Sequence, residues 1–550
     1  MTRQQNVSLP KGKLMRHSIL TPIFLLALFA ARDAHANTVC PPPSVAQGGQ
    51  CVLTGDATLS DTMWLTTGTT LNCLGHRLTP MTGGTNDDPR TLTNEFQPSR
   101  PELAIFVHAA YNVKIENCHI SGFDFGIIVA QSKTANTPPG LILTQKLIFG
   151  NTIDVRTNAI DVIKSDGVIV SGNQLTYASE RGRGVVLNYD SDQNQIIGNT
   201  ITSTDAASTG QVRVLPGGAL VTTTAIMDNT IHCLESDNPI ENFVVSGVLF
   251  QVRANEPGTD FENTGRSDHN LIAANNISHL GSGTSCTLDP GTSCTTDADC
   301  PGKGACLLKA NSGVAFNGRA SDTTVFANRF SGHMDRGVSI GGIGNPVTIA
   351  GWVTGTCSLD ATRMCSANSD CNIPGYDTIS KGVCNGAAPA TFDGTTQRLT
   401  ATANSFSGVY DSAALFANNT GNFTFSGNFV NGGASGIRIE AGAIDGLIER
   451  NIVSGAANAL HLGPQTPFTQ LIQLNDFTGY SAAIRTSNTF TNAADISAAK
   501  GNYWGLPCPG FAPSLVLFES GAINPFVTDA HPYGKPVALT PNFLLPATCK

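Results

Sequence analysis

Charged side chains are scarce in this sequence. Asp, Glu, Lys and Arg together make up 13% of 550 residues, too few to clothe the outer faces of a helical bundle. Past residue 36 there is no apolar run of the roughly 20 residues that a membrane span requires, so no span is expected once a leader is removed. No Gly-rich phosphate loop and no His-Glu-x-x-His occur, so the sequence carries no sign of the phosphate or zinc chemistry those spacings serve. Seven methionines and no His-rich tract argue against a handler of soft metals, which want thioether, thiolate or imidazole ligands. Cationic charge is short as well. The formal charge is −9, and without residues 1–36 it is −13, from 27 basic and 40 acidic residues. Such a chain is not drawn to nucleic acid or anionic lipid by its overall field, and no nucleic-acid partner is expected.

What is plentiful is the material of turns and short strands. There are 57 glycines and 29 prolines, and 41% of residues are apolar, ample for a core and inconsistent with a disordered chain. One phrase keeps returning between Asn404 and Trp504: Ala403-Asn404-Ser405-Phe406, Gly427-Asn428-Phe429-Val430, Arg450-Asn451-Ile452-Val453, Leu474-Asn475-Asp476-Phe477 and Gly501-Asn502-Tyr503-Trp504. Its asparagines are 24, 23, 24 and 27 residues apart. The phrase also occurs at Asn117, Asn151, Asn173, Asn199, Asn229, Asn275 and Asn328, with longer gaps where loops are inserted. Between the asparagines lie apolar alternations such as Ile437-Arg438-Ile439, the period-two pattern of a strand with one face buried. A fixed period in this range marks a solenoid. The recurring Asn suits a tight bend, because Asn tolerates the left-handed conformation and can bond its own backbone.

The repeat resembles that of the right-handed parallel β-helix proteins, the pectate lyases, polygalacturonases and NosD-like proteins, over about residues 52 to 505. The phrase Thr70-Leu71-Asn72-Cys73-Leu74-Gly75-His76-Arg77-Leu78 is similar to the opening of the NosD-like kind. The expected fold is all-β: a single-stranded, right-handed parallel β-helix solenoid of about 11–14 coils with two small disulfide-stapled insertions. A β-sandwich also turns every 8–12 residues or so but does not repeat one Asn phrase a dozen times.

Residues 1–36 read as a secretory signal. Arg3, Lys11, Lys13 and Arg16 form the basic leader, Ile19 to Ala31 the apolar run, and Ala34-His35-Ala36 the cleavage site. The expected location is secreted, extracellular or periplasmic, and a monomer is expected. Residues 37–51 read as an N-terminal cap segment, 52–505 as the β-helix, and 506–550 as a C-terminal cap or tail. All 15 cysteines lie beyond the leader, where disulfides are permitted. Cys40 and Cys51 are expected to pair, and Cys508 with Cys549. Eight cysteines form two rhyming modules, Cys286, Cys294, Cys300 and Cys306 in an insertion at 284–306, and Cys357, Cys365, Cys371 and Cys384 in one at 357–384. Each is expected to pair within itself, with three connectivities open. Neither has the knuckle spacing of a zinc site. Cys73, Cys118 and Cys233 remain.

Aligned on the Asn phrase, Arg438, His461 and Arg485 occupy one outward position in three consecutive coils, with Glu440 beside the first and Asp161 at the same position of an earlier coil. Stacked about 4.8 Å apart, the three basic residues form a track whose guanidiniums suit carboxylates. The expected partner is an anionic polysaccharide or a cell-surface glycan. A second cluster, Gly332-His333-Met334-Asp335-Arg336-Gly337, holds a base, an acid and a cation within four residues. His333, Asp335 and Arg336 are therefore candidate catalytic residues. Resemblance to polygalacturonases implies Gly-His-Gly and Arg-Ile-Lys phrases; here Met334 breaks the first, and Arg438-Ile439-Glu440 reverses the last charge of the second. Their adjacent Asp pair is matched only by Asp87-Asp88, ahead of the core, and the Asp-Pro-His-Asp phrase of alginate epimerases is missing. A third group, Asp154, Arg156, Asp161, Lys164 and Asp166, then Glu180, Arg181, Arg183, Asp190 and Asp192, is similar in kind to the acidic ligands of lyases with this fold. Calcium, which wants six to eight oxygens, is thus the one cofactor left open, at no defined site. The function expected is a protein that binds or cleaves an anionic polysaccharide, as a lyase or hydrolase. The alternative is a non-catalytic, adhesin-like surface solenoid.

Overall fold

The structure is a computed structural model. It describes residues 39–82, 102–130, 146–163, 165–178, 182–188, 193–203, 210–215, 219–222, 224–233, 245–251, 265–279, 284–286, 289–293, 306–308, 311–317, 320–341, 347–365, 382–392, 396–417, 420–440, 443–463, 470–486, 499–500 and 516–518, with isolated positions between them. Every element among them is a β-strand. Strands stack in parallel, coil on coil, as three faces. Face one is a fifteen-stranded sheet that begins with an antiparallel hairpin, Val45–Gln47 and Gln50–Val52, and ends at Ala499–Lys500. Faces two and three form one further sheet, because two strands, Arg329–Gly341 and Ser405–Ala417, run unbroken around the corner between them.

The period-two alternation found in the sequence becomes burial. Ile437 and Ile439 are fully buried on either side of Arg438, as are Leu460 and Leu462 around His461. On face three, paired positions run from Trp64 through Phe106, Ile128, Asp161, Val186, Arg213, Leu249, Ala315, Ser339, Leu415, Arg438, His461 and Arg485 to Leu517. That makes fourteen levels among the described residues. The last strand among the described residues, Val516–Phe518, lies within the segment 506–550 and pairs with Ile484–Thr486.

One corner is held by the repeated asparagines. Eleven of them, from Asn151 to Asn502, form an unbroken ladder in which each Nδ2 donates to the Oδ1 of the next at 2.9–3.0 Å. Each Oδ1 also accepts the backbone N–H of the Asn below it, as Asn451 does from Asn428. The other Nδ2 proton goes to a carbonyl, as from Asn451 to Phe425. At a bend the backbone loses sheet partners, and the buried amide replaces them. Two expectations are corrected here. The left-handed residue is not the Asn but the one before it: Gly427, Ala403, Arg450 and Leu474 have φ between 56° and 61°. The Asn side chains bond the neighbouring coils, and Asn475 Nδ2 also reaches the carbonyl of Gln473, two residues before it.

The phrase at Asn117 is also shifted by one. Cys118, not Asn117, takes the ladder position, its N–H donating to Asn151 Oδ1 at 2.9 Å. Cys118 is bonded to Cys73 in the coil below, so a disulfide continues the ladder at the N-terminal end. The expected Cys40–Cys51 bridge is present beside it. At the corner between faces two and three the wall is lined by small residues. A Cβ on Gly337 would lie 2.2 Å from Phe406 Cδ1 and 2.6 Å from the Ala413 carbonyl oxygen, so no larger residue fits under the stacked Phe330 and Phe406 rings. Both insertions contain three-stranded antiparallel sheets, over 284–308 and 347–392.

Candidate functional site

The two unbroken strands, Arg329–Gly341 and Ser405–Ala417, do not pair evenly around their corner. Register shifts fall between Ser331 and Met334 and between Met334 and Arg336, while Met334 pairs with Val409 and Arg336 with Ser412. One residue, Asp335, therefore stands opposite two, Tyr410 and Asp411. Bulges of this kind re-aim side chains and recur beside active sites. Here the irregularity brings Asp335 and Asp411 to the same corner. The next coil adds Arg438 and Glu440, since Ser412 pairs with Ser435 and Leu415 with Arg438.

The result is an alternating network of five charged residues. Arg336 Nε lies 3.5 Å from Asp335 Oδ2 and 3.6 Å from Asp411 Oδ2. Arg438 Nη1 lies 3.3 Å from Asp411 Oδ1, and its Nε donates to Glu440 Oε1 at 2.5 Å. Ser412 Oγ is 3.3 Å from Asp411 Oδ2. Burial pushes the Asp335 carboxyl up to about 7, with the Asp411 charge adding to it and Arg336 and Arg438 opposing. Burial also works against the Arg438 cation, but Asp411 and Glu440 outweigh it and hold the guanidinium above its ordinary range. Arg336 Nε is buried without a hydrogen bond among the described residues. The site thus holds a carboxyl that burial has pushed up to about 7 and, next to it, a carboxylate within 3.3–3.6 Å of two guanidiniums.

The two clusters that looked separate in sequence therefore meet. Asp335 and Arg336 belong to the same group as Arg438 and Glu440. The backbone of His333 lies in the same strand, but its side chain is outside the described residues. Arg438, His461 and Arg485 do stack at successive levels. Their surroundings differ from an open basic track, however: Arg438 is engaged by two acids and His461 is only 8% exposed, whereas Arg485 is half-buried. Asp161 lies seven levels away from Arg438, buried, and both of its carboxylate oxygens accept from Asn158 Nδ2. It is no part of this group. Of the third group, Lys164, Glu180, Arg181, Asp190 and Asp192 fall outside the described residues. Among the described residues no three His, Cys, Asp or Glu side chains gather as a metal ion would require.

Sequence reasoning missed Asp411, whose only signal was its place in a strand far longer than its neighbours. Gly337-Val338-Ser339-Ile340-Gly341 has the spacing of a nucleophile elbow, but it lies inside a continuous strand with no strand-to-helix turn to expose the serine. By alternation alone Arg438 is an outward residue, and the loss of an outward side chain ordinarily costs little. The network changes that expectation. Arg438→Ala leaves Asp411 and Glu440, both under a third exposed, short of a cation, and should destabilise the protein by about 1–3 kcal/mol. Arg485→Ala should stay within about 0.5 kcal/mol. Denaturant melts of the two variants side by side check the difference.

No family model and no curated protein matches this chain. Solved structures similar to it include PfbA, a surface adhesin of Streptococcus pneumoniae, at 9% identity over 80% of this chain and 84% of that one, with a TM-score of 0.38. A mutant tailspike protein of E. coli bacteriophage HK620 in complex with a pentasaccharide is similar at 9% identity over 84% and 75%, with a TM-score of 0.43. The periplasmic alginate epimerase AlgG is similar at 9% identity over 78% and 74%, with a TM-score of 0.27. Likenesses this low say nothing of activity.

Proposed function

We propose that this chain is an exported β-helix protein that binds and hydrolyses an anionic polysaccharide at the corner formed by Arg329–Gly341 and Ser405–Ala417. The observation that carries the reading is Asp335, buried at the bulge beside an ion-paired Asp411 and pushed by that burial up to about 7. Glycoside hydrolysis needs one carboxyl that still holds its proton near neutral pH and a second that does not, and environment separates the two. Asp335 gives its proton to the glycosidic oxygen as the bond from that oxygen to the anomeric carbon breaks. Water adds to the anomeric carbon and passes a proton to Asp411. Arg336, whose side chain is 27% exposed, and Arg485 along the face are placed to receive carboxylates of the polymer. A leader-like N-terminus and the two disulfides support an exported location.

A panel of uronate polymers tests this, read for new reducing ends and separately for the absorbance of unsaturated products. Wild type should release reducing ends without that absorbance, and Asp335→Asn and Asp411→Asn should each lower the rate by about 10²–10⁴-fold. Unsaturated product would make the site a lyase and end the proton-donor role of Asp335. Retention of a polymer with no cleavage would leave a non-catalytic glycan-binding or adhesin-like solenoid.

A further inference from the structure

The two cysteine modules share a strand order and register as well as the spacing of their first three cysteines, 8 and 6 residues in both. In each, the first strand is central, flanked on one side by the second strand and on the other by the third: Thr284–Cys286 between Asp289–Ser293 and Cys306–Leu308, and Val347–Cys357 between Asp360–Cys365 and Cys384–Phe392. In each, the first cysteine ends the central strand and pairs with an Asp three residues on, Cys286 with Asp289 and Cys357 with Asp360. In each, the ladder to the second strand slips at the same point, between Ser285 and Cys286 and between Thr356 and Cys357. On the other side both ladders place the first cysteine directly opposite the fourth, Cys286 with Cys306 and Cys357 with Cys384.

We propose that the first and fourth cysteines of each module are joined, as Cys286–Cys306 and Cys357–Cys384, leaving the second and third of each to one another. Directly opposed residues of an antiparallel pair have Cα atoms about 4.5 or 5.5 Å apart, and a disulfide spans about 4.4–6.8 Å. Pairing of first with second is disfavoured by register, because Cys365 stands opposite Gly355, two residues short of Cys357. Each bond forms by exchange with an external disulfide. The two cysteine thiols give up two protons and two electrons, and the oxidant's disulfide leaves as two thiols. Of three connectivities open to four cysteines, the same one is selected twice by two separate pieces of chain. Each module becomes a closed loop across the base of its sheet, with the remaining pair enclosed. The inference does not depend on the catalytic reading.

Non-reducing peptide mapping decides it, because the chain can be cut between all the cysteines of both modules. Cleavage before Asp289, Asp297 or Asp299 and after Lys303 separates the four in the first; cleavage before Asp360 and Asp370 and after Arg363 and Lys381 separates those of the second. The expected product is a linked pair containing Cys286 and Cys306, and another containing Cys357 and Cys384. A peptide joining Cys286 to Cys294 or Cys300, or Cys357 to Cys365 or Cys371, overturns the assignment, as does a link between the modules. A second measurement uses Cys357→Ser in the full chain. It should expose one new thiol, and alkylation should mark Cys384. Label on Cys365 or Cys371 instead would count against the proposal.

Discussion

Asp335→Asn should make this protein more stable than wild type above neutral pH, and should slow the proposed hydrolysis. Unfolded, an aspartate loses its proton near 3.8; folded, Asp335 keeps it to about 7, chiefly because of burial and then because of Asp411. Between those values the folded state binds the extra proton, so stability falls as pH rises. The contribution is fully present below 3.8 and is lost once pH has passed about 7. At 1.36 kcal/mol per pKa unit the loss is about 4 kcal/mol, an order of magnitude only. Asparagine carries no such proton. Denaturant midpoints of wild type and variant should therefore diverge from pH 4 to pH 8, with the variant ahead at the upper end. Parallel curves would mean that Asp335 titrates normally. The proposed hydrolysis should slow as pH rises through about 7, where Asp335 loses its proton.

Asn451→Ala should be among the most damaging single changes to the solenoid. Asn451 is fully buried. Its Oδ1 accepts from both the N–H and the Nδ2 of Asn428, and its own Nδ2 donates to Phe425 O and Asn475 Oδ1. Alanine leaves the two Asn428 donors buried and unpaired at about 1–3 kcal/mol each, or about 2–6 kcal/mol together. Hydrogen exchange should then quicken in the coils on either side, around Phe425 to Val430 and Asn475 to Phe477, because each coil of a solenoid leans on its neighbours. Asn431→Ala, an exposed Asn in the same coil as Asn428, is the control and should stay within about 0.5 kcal/mol. Equal melts for the two variants would remove the ladder from the account of stability.

Much of the fold was legible because it is written in short stretches. Alternation around Ile437 and Ile439 shows a strand, and the return of Asn at a steady interval shows the coil. The stacking of Asn404, Asn428, Asn451 and Asn475 follows from that interval alone. So does the column of Arg438, His461 and Arg485. The site was legible in its parts and not in its assembly. Asp335 and Arg336 stand out as a local cluster, and Arg438 as a member of a column, but nothing between them says that they meet. A long insertion separates their coils, and the register across it is settled only when the strands pair.

By itself, then, the sequence determined a parallel solenoid, its rungs and its asparagine corner, since these depend on residues within one coil and on repetition. Tertiary structure alone decided three things. It placed Asp411 against Asp335 and Arg438 through a register slip that no periodicity records. It made Cys73–Cys118 the first rung of the ladder, because Cys118 rather than Asn117 faces inward there. And it turned an aspartate into an acid that keeps its proton near neutral pH, because proton affinity follows from burial and neighbouring charge, which belong to the folded chain and not to any one residue in it.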